Sequence, residues 1–286
     1  MIKMPEERLT TVVIGKIHIS EWIRDEFESR IVELLSFREK YRKPQKKGSN
    51  KFLWAFGDFC AKDLNDEKVI FARLGKNKQE IMENVFDDEN WSYKRIARDL
   101  PKADAYSNFI ILMKSHTIIF EEKQPVISIK QFSDMFSLIY SQHFSDLSKL
   151  KIDLIVEKET IFSKIREFDK ITEVQLTVSP SNPYIDEDFR PFDKLLKDGN
   201  VEEAKLIYKN PDGLKIDNTI IGQGIALSAA GYGNHTITAE KDEETEYIRS
   251  KDQIQRFGVA ASDDPDSIID NYYKKYMDFL HRGDPL

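Results

Sequence analysis

The alternation of apolar and polar residues marks strands at intervals along the whole chain. Thr10–Ile19 (TTVVIGKIHI) is β-branched and partly alternating, which predicts a strand. Ser20 can cap a helix over Glu21–Lys40, in which Ile23, Phe27, Ile31, Leu34 and Leu35 recur at helical spacing. Two strands follow, Lys51–Cys60 and Val69–Lys76, and Asn77–Lys102 has no regular period. Asn108–Lys114 and Thr117–Glu122 flank Ser115-His116 and read as a hairpin. Ser128 opens a helix whose buried face carries Phe132, Met135, Phe136, Ile139, Tyr140 and His143.

The second half has the same mixed character. Lys151–Val156 and the strongly alternating Ile171–Ser179 read as strands on either side of a short helix, Glu159–Phe168. That order suggests a split βαβ unit of ferredoxin type. Helices are expected at Phe189–Leu196, Val201–Lys209 and Asn218–Gly231. Short strands are expected at Thr236–Ala239, Glu246–Ser250 and Gln255–Val259, and an amphipathic helix over Asp266–Arg282. Hairpins in both halves, without strict βα alternation, indicate an α+β fold with largely antiparallel sheets. The best division is into two lobes, 1–148 and 149–286.

Composition narrows the classes. Hydrophobic residues make up 40% of the 286 positions, with Phe 18 and Tyr 11, which is ample for a core. No apolar run approaches the roughly 20 residues of a membrane helix, so no membrane insertion is expected. MIKMPEERLT lacks the apolar core of a secretory signal. The single cysteine, Cys60, rules out an intramolecular disulfide and fits a reducing, cytoplasmic setting. One cysteine and five scattered histidines also leave no Cys/His zinc spacing, and no cofactor is expected.

Net charge is −7, but it is unevenly distributed. Arg38–Lys51 (REKYRKPQKKGSNK) carries seven basic residues against Glu39, a local charge of +6 that leaves −13 for the remainder. Lys40, Arg42, Lys43, Lys46, Lys47 and Lys51 are the candidate phosphate contacts, with Tyr41 available to stack on a base. A solvated loop whose cations favour a helix C-terminus explains the same run.

Glu121 and Lys123 form an E-x-K at a strand end with Asp104 upstream, the minimal set of a metal-dependent nuclease. The plainer reading is an exposed turn, since E-x-K is common in a chain with 33% charged residues. Gly222-Gln223-Gly224 and Gly231-Tyr232-Gly233 lack phosphate-loop spacing and read as close-packing and turn glycines. His116 and His235 stand beside turns with no nucleophile or acid next to them in sequence. Cys60 reads as a small core residue. The stripe of Tyr272, Tyr273, Tyr276 and Phe279 reads as core, or as a dimer element on a terminal helix.

The succession of hairpin, short link and helix in NFIILMKSHTIIFEEKQPVISIKQFSDMFSLI, followed by strand–helix–strand ending ITEVQLTVSPSNP, resembles the lambdoid phage-exclusion family of RexA. It is also similar to bacterial proteins of prophage and anti-phage gene sets, over about residues 100–260. The resemblance implies a homodimeric, two-lobed α+β protein that binds DNA without sequence preference and acts as sensor or effector in antiviral defence. It transfers no catalytic residue. Two other expectations stand beside it, a metal-dependent nuclease and a non-catalytic adaptor for a co-encoded effector protein.

Overall fold

The computed structural model describes residues 8–38, 40–42, 52–78, 80–87, 92–99, 103–181, 188–242 and 244–280; for 21, 22, 42, 78, 80–87, 92–99, 103 and 104 it describes the backbone alone. In chain order the first half contains β1 (Leu9–Ile19), α1 (Phe27–Ser36), β2 (Tyr41–Arg42), β3 (Phe52–Leu64), β4 (Glu67–Lys78), β5 (Glu80–Asp87), β6 (Ser92–Asp99), β7 (Ala103–Leu112), β8 (Thr117–Glu121) and α2 (Ile129–His143). The second half contains β9 (Leu150–Leu154), α3 (Lys158–Ile165), β10 (Lys170–Val178), α4 (Arg190–Asp198), β11 (Ala204–Lys209), α5 (Ile220–Leu227), β12 (Gly233–Lys241), β13 (Glu244–Arg249), β14 (Phe257–Ala260) and α6 (Pro265–Leu280). The fold is α+β with antiparallel sheets.

The larger sheet runs β14-β1-β8-β7-β4-β3-β2, and β9 also pairs with β1. β14 pairs with Leu9–Val12 and β9 with Gly15–Ile19, so the two lie end to end along the edge of β1 opposite β8. Residues on both sides of position 148 therefore build this sheet. Strand alternation sends neighbouring side chains to opposite faces. Val13, Ile17, Phe109, Ile111, Ile118 and Phe120 meet α1 and α2 on one face. Val12, Ile14, Phe71, Ile110 and Ile119 meet Ile268, Ile269, Tyr272 and Tyr276 of α6 on the other. The α6 stripe is therefore core.

α2 begins where the sequence indicates. Ser128 accepts from the Gln131 amide and the Gln131 side chain accepts from the Ser128 amide, a capping box that satisfies two otherwise orphaned donors. Phe132 of α2 then stacks on Phe120 at 4.0 Å between ring centroids. Each such fully buried ring contributes about 1.5–3 kcal/mol relative to exposure.

The smaller sheet is β11-β10-β12-β13, with Val174, Leu176, Val178 and Ile237 packed on Phe192 of α4 and Ile225 of α5. The split βαβ expectation is corrected here. β9 joins the larger sheet and β10 the smaller one, so α3 links two sheets and does not cross over within one. The helix expected at Val201–Lys209 is also corrected. Residues 204–209 form β11, in which Ala204, Leu206 and Tyr208 are half-buried and Lys205, Ile207 and Lys209 exposed, a period of two. β5 and β6 pair as a two-stranded ribbon inside the stretch that showed no period.

Candidate functional site

The face of the larger sheet covered by α6 is apolar at its centre and polar at the end where β8 finishes. Register explains the polar row. Glu121 of β8 pairs with Val12 of β1, Arg73 of β4 pairs with Asn108 of β7, and Gly57 of β3 pairs with Arg73. Thr10, Glu121, Asn108, Arg73 and Asp58 consequently form one chain of hydrogen bonds across the strands. Thr10 Oγ1 donates to Glu121 Oε1, and Asn108 Nδ2 donates to Glu121 Oε2 at 3.0 Å. Arg73 Nε donates to Asn108 Oδ1 at 2.9 Å, and its terminal nitrogens reach Asp58 Oδ2 at 2.7 Å and the Asp263 carbonyl at 2.8 Å.

Glu121 is 2% exposed, so the expectation of a solvated turn fails for it. It ends β8, while Lys123 begins the following turn and bridges to Ile127 through the backbone. Lys123 Nζ lies 2.5 Å from Glu121 Oε1, with a side chain 40% exposed. A buried carboxylate thus has its counter-charge at the rim, a geometry that avoids an unpaired interior charge. Tyr272 of α6 closes the far wall. Burial pushes its phenol pKa up, and the Glu121 carboxylate adds to this, against a smaller opposing contact with Asn108.

Thr10, Asn108, Glu121, Lys123 and Tyr272 line a cavity of about 290 Å3, together with Arg8, Tyr106 and Asp263. Tyr106 carries the Arg73 guanidinium 4.8 Å above its ring. The cavity can offer a buried acceptor, an amide, hydroxyls, an aromatic face and two rim cations to a small polar ligand. Glu121 and Lys123 are therefore brought together as a pair. Asp104 lies in β7, with only its backbone described. Among the described residues, no group of three or more His, Cys, Asp and Glu side chains is placed to hold a metal ion.

The basic segment is described only at its flanks. Lys40 is exposed, and Arg42 lies in β2 opposite Leu53 of β3. Lys43, Lys46, Lys47 and Lys51 lie outside the described residues. Tyr41 is not available for stacking, which corrects that expectation. It is 6% exposed and its hydroxyl meets His143 Nδ1 at 3.1 Å, while His143 Nε2 meets Glu33 at 3.1 Å. These contacts pin β2 to α1 and α2 just before the basic run.

His235 has a nucleophile beside it that its sequence neighbours do not reveal. Ser228 Oγ lies 2.7 Å from His235 Nδ1. Both are buried, and Ser228 also donates to the Ile225 carbonyl at 2.8 Å, which makes the pair an internal tie between α5 and β12. Burial lowers the His235 pKa to about 4. Cys60 is half-buried, and burial raises its thiol pKa.

Thr10, Arg73, Asn108 and Asp263 were not singled out in the sequence, and Tyr272 was read only as part of the aromatic stripe of the closing helix. The available signal was a polar residue at the inward-facing parity of β4 and β7, Arg73 after Val69 and Phe71, and Asn108 before Ile110 and Leu112. Among the described residues, no helix is long and apolar enough to cross a membrane. No curated protein matches the chain. DUF4747, a domain of unknown function, matches residues 27–278, most of the chain's 286 residues, and the chain belongs to that family.

Proposed function

We propose that the chain binds nucleic-acid phosphate backbone, without sequence preference, as a sensor or effector of bacterial phage defence in the cytoplasm. The observation that supports this reading is topological. The flanks of the +6 segment, Arg42 and Phe52, stand at the end of the larger sheet where Lys78 ends β4 and Ala103 begins β7. The same end carries Arg8 and Lys123 at the polar cavity. Cations that are far apart in sequence thus share one end of the fold, and local potential rather than net charge drives phosphate binding. The phage-defence setting rests on the resemblance over residues 100–260.

Backbone binding releases counterions, so affinity falls steeply with salt. Fluorescence anisotropy of labelled single-stranded DNA, duplex DNA and RNA at two salt concentrations tests this. Reversing Lys40, Arg42, Lys43, Lys46, Lys47 and Lys51 to Glu should abolish binding at low salt. Single reversals should reduce the log–log salt slope by about 0.7–0.9 each. Absence of binding at low salt, or binding indifferent to the reversals, overturns the proposal.

A metal-dependent nuclease is the second reading, favoured by the shared cavity of Glu121 and Lys123. In the observed arrangement three donors already occupy the carboxylate, so a metal would have to displace Lys123. Plasmid cleavage with Mg²⁺ or Mn²⁺ that disappears in Glu121→Gln would support it. Inactivity in both assays, with a co-encoded protein copurifying, would favour an adaptor. A homodimer would need a surface other than the α6 stripe, which its own sheet covers.

A further inference from the structure

The smaller sheet ends at β11, and among the described residues no strand pairs with its outer edge. Register identifies the backbone groups left there. Lys209 lies opposite Glu173 of β10, and the next amide, of Asn210, donates to the Thr172 carbonyl at 3.0 Å. Hydrogen-bonded pairs alternate along an antiparallel ladder, so Tyr208, Leu206 and Ala204 also exchange bonds with β10. Lys205, Ile207 and Lys209 therefore turn their amides and carbonyls to the open edge. An open edge is a template for another strand.

The side chains at this edge divide by face. Ala204, Leu206 and Tyr208 pack on the core of the smaller sheet and are only half-buried. On the uncovered face Ile207 is 63% exposed between Lys205 and Lys209. Lysines on an edge strand ordinarily discourage pairing by repulsion. Here each has a carboxylate beside it, Glu203 at 3.5 Å from Lys205 and Glu173 at 3.1 Å from Lys209.

We propose that β11 is the interface of a homodimer, pairing antiparallel with β11 of a second copy about a two-fold axis at Leu206. The sequence is self-complementary in that register. Glu203 faces the partner's Lys209 and Lys205 faces the partner's Ile207, each contact made twice by symmetry. On the opposite face Leu206 meets its own copy, and Ala204 meets the partner's Tyr208, small against large. Neighbouring registers fit worse. An axis at Lys205 sets that lysine against its copy, and an axis at Ile207 sets Lys205 against the partner's Lys209. An axis at Tyr208 brings Pro211, which has no amide to donate, opposite Lys205. The inference goes beyond the backbone-binding reading and uses none of its residues.

The test is sedimentation velocity of the full chain. One strand pair is a small contact, and interfaces below about 1,200 Å2 are typically weak, so a monomer–dimer equilibrium should appear between about 1 and about 300 µM. Ile207→Pro removes an amide that points away from β10 and should abolish the dimer while leaving that ladder intact. Lys209→Glu and Glu203→Lys each turn two attractive contacts into repulsive ones and should weaken self-association about tenfold or more. Mixed together, these two variants restore opposite charges at both contacts and should form a heterodimer near wild-type affinity. Should a variant fail to fold, amide exchange in the wild type still decides. The amides of Lys205, Ile207 and Lys209 must exchange more slowly at high than at low protein concentration. A chain monomeric to about 300 µM, a dimer that survives Ile207→Pro, or charge variants that associate no better mixed than alone overturns the proposal.

Discussion

Replacing Glu121 with Ala removes the acceptor at the middle of the polar row, and the structure allows its cost to be worked out. Lys123 has a side chain 40% exposed and turns to solvent, so loss of that ion pair costs little. Asn108 is 5% exposed and keeps a buried Nδ2 with no acceptor, which costs about 1–3 kcal/mol. Thr10 is half-buried and loses one hydrogen bond, about 0.5–1.5 kcal/mol. A further ~1 kcal/mol comes from the void left by the side chain. Relief from burying a carboxylate offsets part of this. The net expectation is a destabilisation of about 2–3 kcal/mol. Glu121→Gln keeps the shape and one acceptor and should cost about half as much. Urea unfolding at neutral pH, with the slope of free energy on urea checked for constancy, measures both. A Glu121→Ala midpoint within about 0.5 kcal/mol of wild type would refute the assignment of Glu121 as the organiser of this row.

Two other perturbations follow from the fold. Gly233 has φ +146, and a Cβ would fall on the Thr177 carbonyl oxygen, so Gly233→Ala should destabilise by at least about 3 kcal/mol and lower the thermal midpoint accordingly. His116 and His235 are held neutral, with pKa values lowered from 6.5 to about 4, in both cases chiefly by burial. A base with a depressed native pKa binds its proton more readily when unfolded, so its stabilising contribution is complete above pH 6.5 and is lost as pH falls towards 4. Thermal midpoints should therefore drop across that window, and His116→Asn with His235→Gln should flatten the drop. Asn is chosen at 116 because that residue has φ 49.

Local structure was legible where one residue type did one job. The hairpin of β7 and β8, the capped helix α2 and the closing helix α6 each announce themselves by period and caps. β11 was misread because Val-Glu-Glu-Ala-Lys-Leu fits a helical spacing over so short a run as well as a strand. β5 and β6 were missed because their alternation is interrupted by charge. Sheet membership was not legible at all, since nothing in Leu150–Leu154 or Lys170–Val178 says which of two edges each will join. The same limit applies to the site. E-x-K drew attention to Glu121 and Lys123, but their burial and their partners depend on register between strands that only tertiary structure fixes.

The edge of β1 has a bearing on how the chain reaches this state. Leu9 pairs with Ala260 and Ile19 with Leu150, so β1 is completed by strands made much later. During synthesis β1 can dock on β8 once the hairpin has emerged, and β9 then covers its lower edge. The upper edge, Leu9–Val12, waits with unpaired amides and carbonyls until β14 leaves the ribosome. An open strand edge is a template for association with other chains. The vulnerable interval in this protein's life is therefore translation of the smaller sheet, and chains stalled before β14 are the ones most prone to aggregate.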